Sequence, residues 1–329
     1  MTMTIVVSER GRLALAERID LVCDAVAIDD VVVARGPLEA TRRLHSRSVP
    51  YLLDVNRTTA GVAAAMAAGH RPYVVDTGDD PSALARSTRG RPTAAAFALA
   101  DSAVVRRARA VVCRGSFHAA LLRGRTGAPV WWAPDTVPDE VIDRRRPAAD
   151  PCLVATFGSA SLPAHGDRAY CWEVIDLVAA EADLRGLVVV NGPGIEALRT
   201  RAARRGVGGR VDIEGPRPLA GLVARMERAA FMTSVQSDDV AGWVRTTGKL
   251  PLGLGMGKAV VTTRVGEATR VLPDRFLVEP GDDDVVRRGM RAAIVAGLPP
   301  GWPDEARHLA ERFRRSRVAA GLRDFLGSL

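Results

Sequence analysis

The sequence has few aromatic residues, few cysteines and almost no lysine. Aromatic side chains make up only 5% of its 329 residues, so packing must depend on small aliphatic side chains. The four cysteines, Cys23, Cys113, Cys152 and Cys171, form no C-x-x-C pair, which predicts reduced thiols in a reducing compartment. No apolar run reaches the ~18–20 residues of a membrane-spanning helix. Residues 1–7 show neither a basic region nor a cleavage site, so we expect a cytoplasmic protein.

Histidine is scarce as well, and arginine supplies nearly all of the positive charge. The five histidines are scattered, and no spacing of His, Cys and carboxylates indicates a metal site, so we expect no metal. Of 46 basic residues, 44 are Arg, and the two lysines are Lys249 and Lys258. The net charge of +8 makes nucleic-acid binding an alternative. Because Arg alternates with Asp and Glu and lacks aromatic stacking partners, we expect no nucleic-acid partner.

Short Val/Ile-rich runs alternate with Ala/Leu/Arg-rich stretches of helical period, which is typical of βαβ units and parallel sheets. The alternation breaks at residues 134–151, which contain four prolines. This break predicts an irregular linker between two doubly wound, Rossmann-like α/β domains, residues 1–140 and 151–302, facing a central cleft. Six strands are predicted in each domain: Thr4–Val7, Val31–Ala34, Tyr51–Val55, Pro72–Asp76, Ala110–Cys113 and Val130–Trp132, then Leu153–Phe157, Leu187–Val190, Val211–Glu214, Phe231–Val235, Ala259–Thr263 and Phe276–Val278.

Ligands of doubly wound sheets bind outside the carboxyl ends of the strands. This rule directs attention to the loops that follow predicted strands. They are residues 76–80, 158–162, 191–194, 234–242 and 264–267.

An ordered series of short motifs fills the second half of the sequence. A strand ends in Gly158-Ser159, the next leads into 191–194 (Asn-Gly-Pro-Gly), and the run 206–215 follows. Residues 248–253 (Gly-Lys-Leu-Pro-Leu-Gly) then precede 265–267 (Val-Gly-Glu). In this order the motifs resemble the donor-binding domain of GT-B glycosyltransferases, especially the large retaining family numbered four. The resemblance covers about half of the chain, and the first half matches only in general layout.

The resemblance implies a hexosyltransferase that uses a nucleotide-diphosphate sugar as substrate, retains anomeric configuration and needs no cofactor. A diphosphate requires backbone donors and one or two cations. Lys249 corresponds to the motif cation beside the donor phosphates, although an ordinary surface lysine is the alternative. Lys258 is interpreted as an exposed turn residue. Six further residues are predicted to contact the donor: Gly158, Ser159, Asn191, Gly192, Gly266 and Glu267. For Glu267, a carboxylate that complements a helix N-terminus is the alternative.

The sequence departs from the family at its charged positions. Val244 and Leu252 stand where the family has two glutamates. The family also places an Arg and a Lys after the first strand of this domain, whereas the nearest cation here is Arg168. Asp239 and Arg245 are predicted to replace some of these contacts, and a solvated turn is the alternative for the aspartate.

Two side chains of the first half follow predicted strands and are assigned to catalysis together with Lys249. Asp79 is predicted to orient an acceptor hydroxyl, or else to belong to a turn before Pro81. His118 is predicted to face the cleft, with a structural histidine as the alternative.

The last segment, residues 303–329, is predicted to be a single docked helix, because its apolar residues recur at near-helical spacing. In the fold that the chain resembles, this helix crosses back to the first domain. A helix packed on its own domain and a basic helix in peripheral contact with a membrane are the alternatives.

The first functional hypothesis is transfer of a sugar from a nucleotide sugar to a small-molecule, glycan or lipid acceptor. A degraded GT-B protein that binds a nucleotide or partners an active transferase is the second. The third is epimerisation of a nucleotide sugar.

Overall fold

The computed structural model describes residues 2–9, 15–89, 91–160 and 170–329, so Arg168 lies outside the described residues. The chain divides into two compact units. The first contains residues 1–136, 243–246 and 313–329, and the second contains 137–242 and 247–312. In the described ranges, every helix is too short or too polar to cross a membrane.

Twelve strands of the described chain form two six-stranded sheets, and each overlaps one of the twelve predicted strands. All of the strand pairs within them are parallel. The predicted α/β class with two doubly wound sheets is therefore confirmed. The strands are β1 Met3–Ser8, β2 Ile28–Ala34, β3 Val49–Leu53, β4 Val74–Thr77, β5 Ala110–Cys113, β6 Val130–Trp132, β7 Asp150–Ser159, β8 Arg185–Asn191, β9 Val211–Glu214, β10 Ala229–Ser234, β11 Ala259–Thr263 and β12 Leu277–Val278.

The strand orders differ between the sheets. The first sheet runs β2-β1-β3-β4-β5-β6, and the second runs β12-β11-β10-β7-β8-β9. Numbered from its own first strand, the second sheet has the 3-2-1-4-5-6 order of dinucleotide-binding folds. Its strand order therefore reverses between β7 and β10.

Helices connect the strands. Among the described residues they are α1 Ala16–Ala25, α2 Pro37–Arg43, α3 Arg57–Ala68, α4 Pro81–Arg89, α5 Arg91–Arg107, α6 Ser116–Arg123, α7 Asp139–Asp143, α8 Trp172–Ala180, α9 Ile195–Arg204, α10 Leu219–Met226, α11 Val240–Val244, α12 Lys249–Gly255, α13 Asp283–Val295, α14 Trp302–Ala310 and α15 Arg315–Gly327. Short 3₁₀ helices occupy Gly266–Arg270, Asp274–Phe276 and Glu311–Phe313.

The central strands of the first sheet, β1, β3, β4 and β5, are buried on both faces. Val6 and Leu52 pack with α3 residues on one face, whereas their neighbours Ile5 and Tyr51 face a cluster that includes Leu322 of α15. Since both faces are covered, these strands are apolar almost throughout, and this continuity made them recognisable in the sequence.

The prediction of an irregular linker was wrong in part. Residues 139–143 form α7, whose Val141 and Ile142 are buried, and β7 begins at Asp150. Prolines obscured this helix because Pro138 lies just before its first residue, where the missing N–H group is tolerated.

The prediction of one continuous C-terminal helix was also wrong. A 3₁₀ turn with the buried Phe313 separates α14 from α15. Residues 313–329 belong to the first unit, where Arg315 pairs with Glu17 of α1 and Arg323 Nε donates to Ala25 O over 3.0 Å.

Candidate functional site

The carboxyl edge of the second sheet contains the glycines that the motifs predicted. Gly158, near the end of β7, has a φ of 131°, and Gly192, after β8, has a φ of 109°. Both values lie outside the range that L side chains readily adopt. Ser159 pairs in register with Asn191, whose carbonyl oxygen accepts the Ala160 N–H over 2.6 Å. Gly158, Ser159, Asn191 and Gly192 therefore meet beside the point where the strand order reverses.

Lys249 lies at the same edge as the first residue of α12. A Cβ atom built on Gly158 would stand 3.5 Å from Lys249 Cε. Lys249 Nζ is 3.8 Å from Sγ of Cys171, a buried residue just before α8 with a φ of 75°. Burial raises the pKa of the Cys171 thiol, and the Lys249 ammonium opposes this rise. No sequence signal links Cys171 to Lys249, because 78 residues separate them.

Three other residues predicted to contact the donor, Gly266, Glu267 and Asp239, are buried or already hydrogen-bonded within the protein. Gly266 has a φ of 65° and begins a 3₁₀ helix, and both Gly266 and Glu267 are buried. The Asp239 carboxylate accepts the Gly242 N–H over 2.8 Å and the Ser237 hydroxyl over 2.9 Å, which is the geometry of a local turn.

Apolar burial accounts for the two positions where the family has glutamates. Val244 is 4% exposed and Leu252 is 5% exposed. A carboxylate at either position would be buried and would need a hydrogen-bond or charge partner.

The interpretation of Lys258 as an exposed turn residue was wrong. Its side chain is buried, and its Nζ donates to the carbonyl oxygen of Glu227. It precedes β11 and therefore lies at the amino edge of the second sheet. The pKa of Lys258 is lowered to about 8, chiefly by burial and also by the positive charges of Arg146 and Arg307, against the opposing effect of Glu227.

A buried ion-pair network lies at the carboxyl edge of the first sheet. Asp76 Oδ2 accepts Arg18 Nε over 2.7 Å and the Tyr51 hydroxyl over 2.6 Å. Arg114, after β5, pairs with Asp54 and lies 3.8 Å from Asp76 Oδ1. A Cβ atom on Gly78 would overlap the Arg114 guanidinium, so this glycine permits the arrangement. The sequence indicated only Asp76 of these ionic residues, through its position at a strand end.

Asp79 and Arg245 form an ion pair within the first unit, with Arg245 Nε 3.5 Å from Asp79 Oδ1. Both side chains are about two-fifths exposed, at 43% and 42%. The neighbouring Thr246 hydroxyl donates to Asp135 over 2.7 Å. Arg245 was predicted to contact the donor from the second domain, but the structure assigns residues 243–246 to the first unit.

The polar residues around His118 are buried. His118 is 1% exposed, and burial lowers its pKa to about 4. Its Nδ1 has no hydrogen-bond partner in the described ranges, and such burial favours the structural alternative over direct contact with a substrate. Asp80 Oδ1 accepts the Ser82 and Ala83 N–H groups over 2.9 and 3.0 Å and so caps α4. Burial and the nearby Asp80 raise the pKa of Asp101 to about 7.

Within the described residues, no group of three or more His, Cys, Asp or Glu side chains is arranged to hold a metal ion.

Comparison with known proteins gives structural matches. No protein-family model matches the sequence, and no curated protein matches it significantly. HepE from Anabaena, crystallised with UDP, matches with a TM-score of 0.72 and 14% identity over 100% of both chains. Sucrose-phosphate synthase from Thermosynechococcus elongatus matches with a TM-score of 0.78 and 12% identity over 100% of this chain and 98% of that one. The chain has the GT-B fold.

A third matching structure is that of a galactosyltransferase. The lipopolysaccharide outer core galactosyltransferase WaaB matches over 100% of both chains, with a TM-score of 0.63 and 11% identity. HepE is also known in complex with UDP-glucose. Identities of 11–14% establish the fold alone.

Proposed function

We propose that this GT-B protein is a glycosyltransferase that moves a hexose from a nucleoside-diphosphate sugar to a hydroxyl-bearing acceptor, with retention of anomeric configuration. The observation that carries the proposal is the position of Lys249. Its aliphatic stem runs beside Gly158 at the carboxyl edge of the second sheet, where its strand order reverses. HepE, a protein of the same fold, is known with UDP and with UDP-glucose.

The chemistry needed at this edge is modest. The diphosphate is the leaving group, and a nearby cation stabilises the negative charge that develops on it. The Lys249 ammonium supplies that cation, and the glycine conformations at 158 and 192 let the backbone approach the phosphates closely. Asp79 is the candidate for orienting the acceptor hydroxyl, since its carboxylate is part-exposed at the edge of the first sheet.

Calorimetric titration with UDP tests the donor site. We expect Lys249→Met to weaken binding by about 10- to 100-fold, because a charge-assisted contact contributes roughly 1.5–3 kcal/mol. The matched control is Arg185→Met, which removes a cation from the opposite end of β8, where Arg185 is exposed and pairs with Asp150. Equal UDP affinities of the two variants would refute the assignment of Lys249.

A protein that binds the nucleotide without turnover is a second candidate function. The burial of Val244 and Leu252, where the family has two glutamates, favours it. Incubation with UDP-glucose and a panel of sugar and lipid acceptors separates the two functions. A new glycoside whose anomeric proton shows the donor's configuration supports a retaining transferase. UDP binding without any transfer across the panel supports the second candidate.

A further inference from the structure

Four cations gather at the amino edge of the second sheet, at the opposite end of its strands from Lys249. Arg144 and Arg146 precede β7, and Lys258 precedes β11. Arg307 lies on α14, and its Nη1 is 3.0 Å from where a Cβ atom on Gly257, the residue before Lys258, would stand. Glu227 precedes β10, which lies between β7 and β11 in the sheet. We call these four cations the amino-edge cluster.

Two members of the amino-edge cluster are buried with incomplete hydrogen bonding. The Arg146 side chain is 3% exposed, and its Nη1 donates to the carbonyl oxygens of Val141 and Arg144 over 2.7 and 3.1 Å. Its Nε and Nη2 atoms are buried and have no hydrogen-bond partner in the described part of the chain. Lys258 is 2% exposed and donates to the Glu227 carbonyl oxygen. Buried charges of one sign are costly unless a counter-charge pairs with them.

Glu227 neutralises this charge only weakly. Its Oε1 is 3.4 Å from Arg144 Nη2 and 3.9 Å from Arg146 Nε. A charge-assisted N–H···O bond measures about 2.7–2.9 Å, and Oε1 accepts no hydrogen bond from the described residues. Asp304 is engaged with Arg307. The arginines of the cluster therefore pair with the carboxylates of Glu227 and Asp304, and Glu227 Oε1 accepts no hydrogen bond from the described residues.

The cluster opens to solvent through its outer members. The Arg144 side chain is 62% exposed, and those of Arg307 and Glu227 are about one-fifth exposed. An incoming anion therefore meets the Arg144 and Arg307 guanidinium groups first. Guanidinium groups present paired donors that match the oxygens of a phosphate.

We propose that the amino-edge cluster is an oxyanion site that binds a phosphate or phosphate-monoester dianion, with Glu227 as the resident carboxylate that the dianion displaces. Displacement moves a weakly bonded carboxylate into solvent and gives the Arg146 and Lys258 charges a partner carrying twice the charge. The site is separate from the proposed donor site and does not depend on the proposed transferase function.

Titration of the full chain with inorganic phosphate at constant ionic strength tests this proposal, with binding followed by calorimetry and by the melting temperature. Arg144→Gln, which changes an exposed side chain, should weaken phosphate binding about tenfold, the equivalent of one charge-assisted contact. Lys258→Met should weaken it at least as much. Glu227→Gln should tighten it several-fold, since the competing carboxylate is gone.

Two controls separate this site from other anion effects. Lys249→Met can remove phosphate only from the proposed donor site and should leave in place the binding that Arg144→Gln and Lys258→Met weaken, because that lysine lies at the opposite edge of the sheet. Arg185→Met, at the same amino edge but paired with Asp150, should leave it unchanged too. The proposal is overturned if phosphate binds equally to all variants, if Glu227→Gln binds phosphate no tighter than the unaltered protein, or if only Lys249→Met loses binding.

Discussion

The carboxyl edges of the two sheets use charge in opposite ways. At the edge of the first sheet, Arg18, Asp76 and Arg114 are buried and bonded within the unit. At the edge of the second sheet, Gly158, with a φ of 131°, lies beside Lys249, whose Nζ is 3.8 Å from the buried Cys171 thiol. Ion pairs that satisfy one another fix a loop geometry, whereas a cation without a carboxylate partner is available to a ligand.

This contrast explains why net charge is a poor guide to function here. Arginine outnumbers the acidic residues, but many arginines form ion pairs with carboxylates of the same unit. Arg201 and Arg205, for example, both pair with Asp176. Lys249 is proposed as the donor-site cation because of the strand order around it and because no ion pair to it is found in the described part of the chain, not because of its charge alone.

The largest effect is expected from removing the Asp76 carboxylate, which lies at the centre of the ion-pair network of the first sheet. Asp76→Asn should lower the free energy of unfolding of the first unit by about 3–5 kcal/mol, because Arg18 would remain buried without a counter-charge. Urea denaturation followed by far-UV circular dichroism measures this loss. Asp79→Asn, at the same edge but 42% exposed, is the control and should cost under about 1 kcal/mol. A similar small loss for both variants would mean that the Asp76 network does not hold the edge together.

A second test uses pH. The pKa of Asp101 is raised to about 7, first by burial and then by Asp80, so the folded state holds a proton that the unfolded state releases near pH 4. The contribution of Asp101 to stability is therefore greatest below pH 4 and declines as the pH rises towards 7. Asp101→Asn removes this decline and should stabilise the protein at pH 8 by on the order of 1–3 kcal/mol, with little difference at pH 4.

His118 has the opposite dependence and must be separated from Asp101. Its pKa is lowered to about 4, so the unfolded state gains a proton between about pH 6.5 and 4 and stability falls on acidification. Melting curves of Asp101→Asn and of the unaltered protein across pH 4–8 share the His118 contribution, which cancels in their difference. A difference that does not grow with pH would contradict the assignment to Asp101.

The fold was largely predictable from the sequence because both sheets consist of apolar runs separated by helices. The predicted Val211–Glu214, Ala259–Thr263 and Ala110–Cys113 strands are observed with the same bounds. Short helices were missed. α7 has only five residues and lies between Pro138 and Pro147, a composition that predicts a turn or linker.

Only those residues of the candidate site that belong to a sequence motif could be predicted. Lys249 and the glycines at 158 and 192 follow from the order of motifs. The Arg18–Asp76 pair and the approach of Cys171 to Lys249 bring together residues 58 and 78 positions apart, and neither spacing has a sequence pattern. The burial of Lys258 was missed because a single polar residue at a turn is usually exposed. For His118, a structural histidine was the alternative, and its burial favours that alternative.

A third test adds one methyl group at the edge of the second sheet. Gly158→Ala should cost about 1–2 kcal/mol of stability, because its φ of 131° is strained for alanine. It should also weaken UDP binding, since the new methyl group would stand beside Lys249 Cε. Gly206→Ala is the matched control: its φ is 69°, and a Cβ there meets nothing within 4 Å. Stability should fall in both variants, but UDP affinity only in Gly158→Ala, and an unchanged UDP affinity in both would remove Gly158 from the donor site.

The smallest expected effect concerns the exposed pair Arg245–Asp79. A double-mutant cycle of Arg245→Gln and Asp79→Asn should give a coupling energy of about 0.2–1 kcal/mol, because water and salt screen part-exposed charges. The coupling should shrink further in high salt, as expected for an exposed pair. The same variants decide between the two roles given to Arg245. If Arg245 serves the first unit through Asp79, Arg245→Gln leaves the UDP affinity unchanged. A loss of UDP affinity as large as that of Lys249→Met would instead restore Arg245 to the donor site, and the second sheet's edge would then depend on more than one cation.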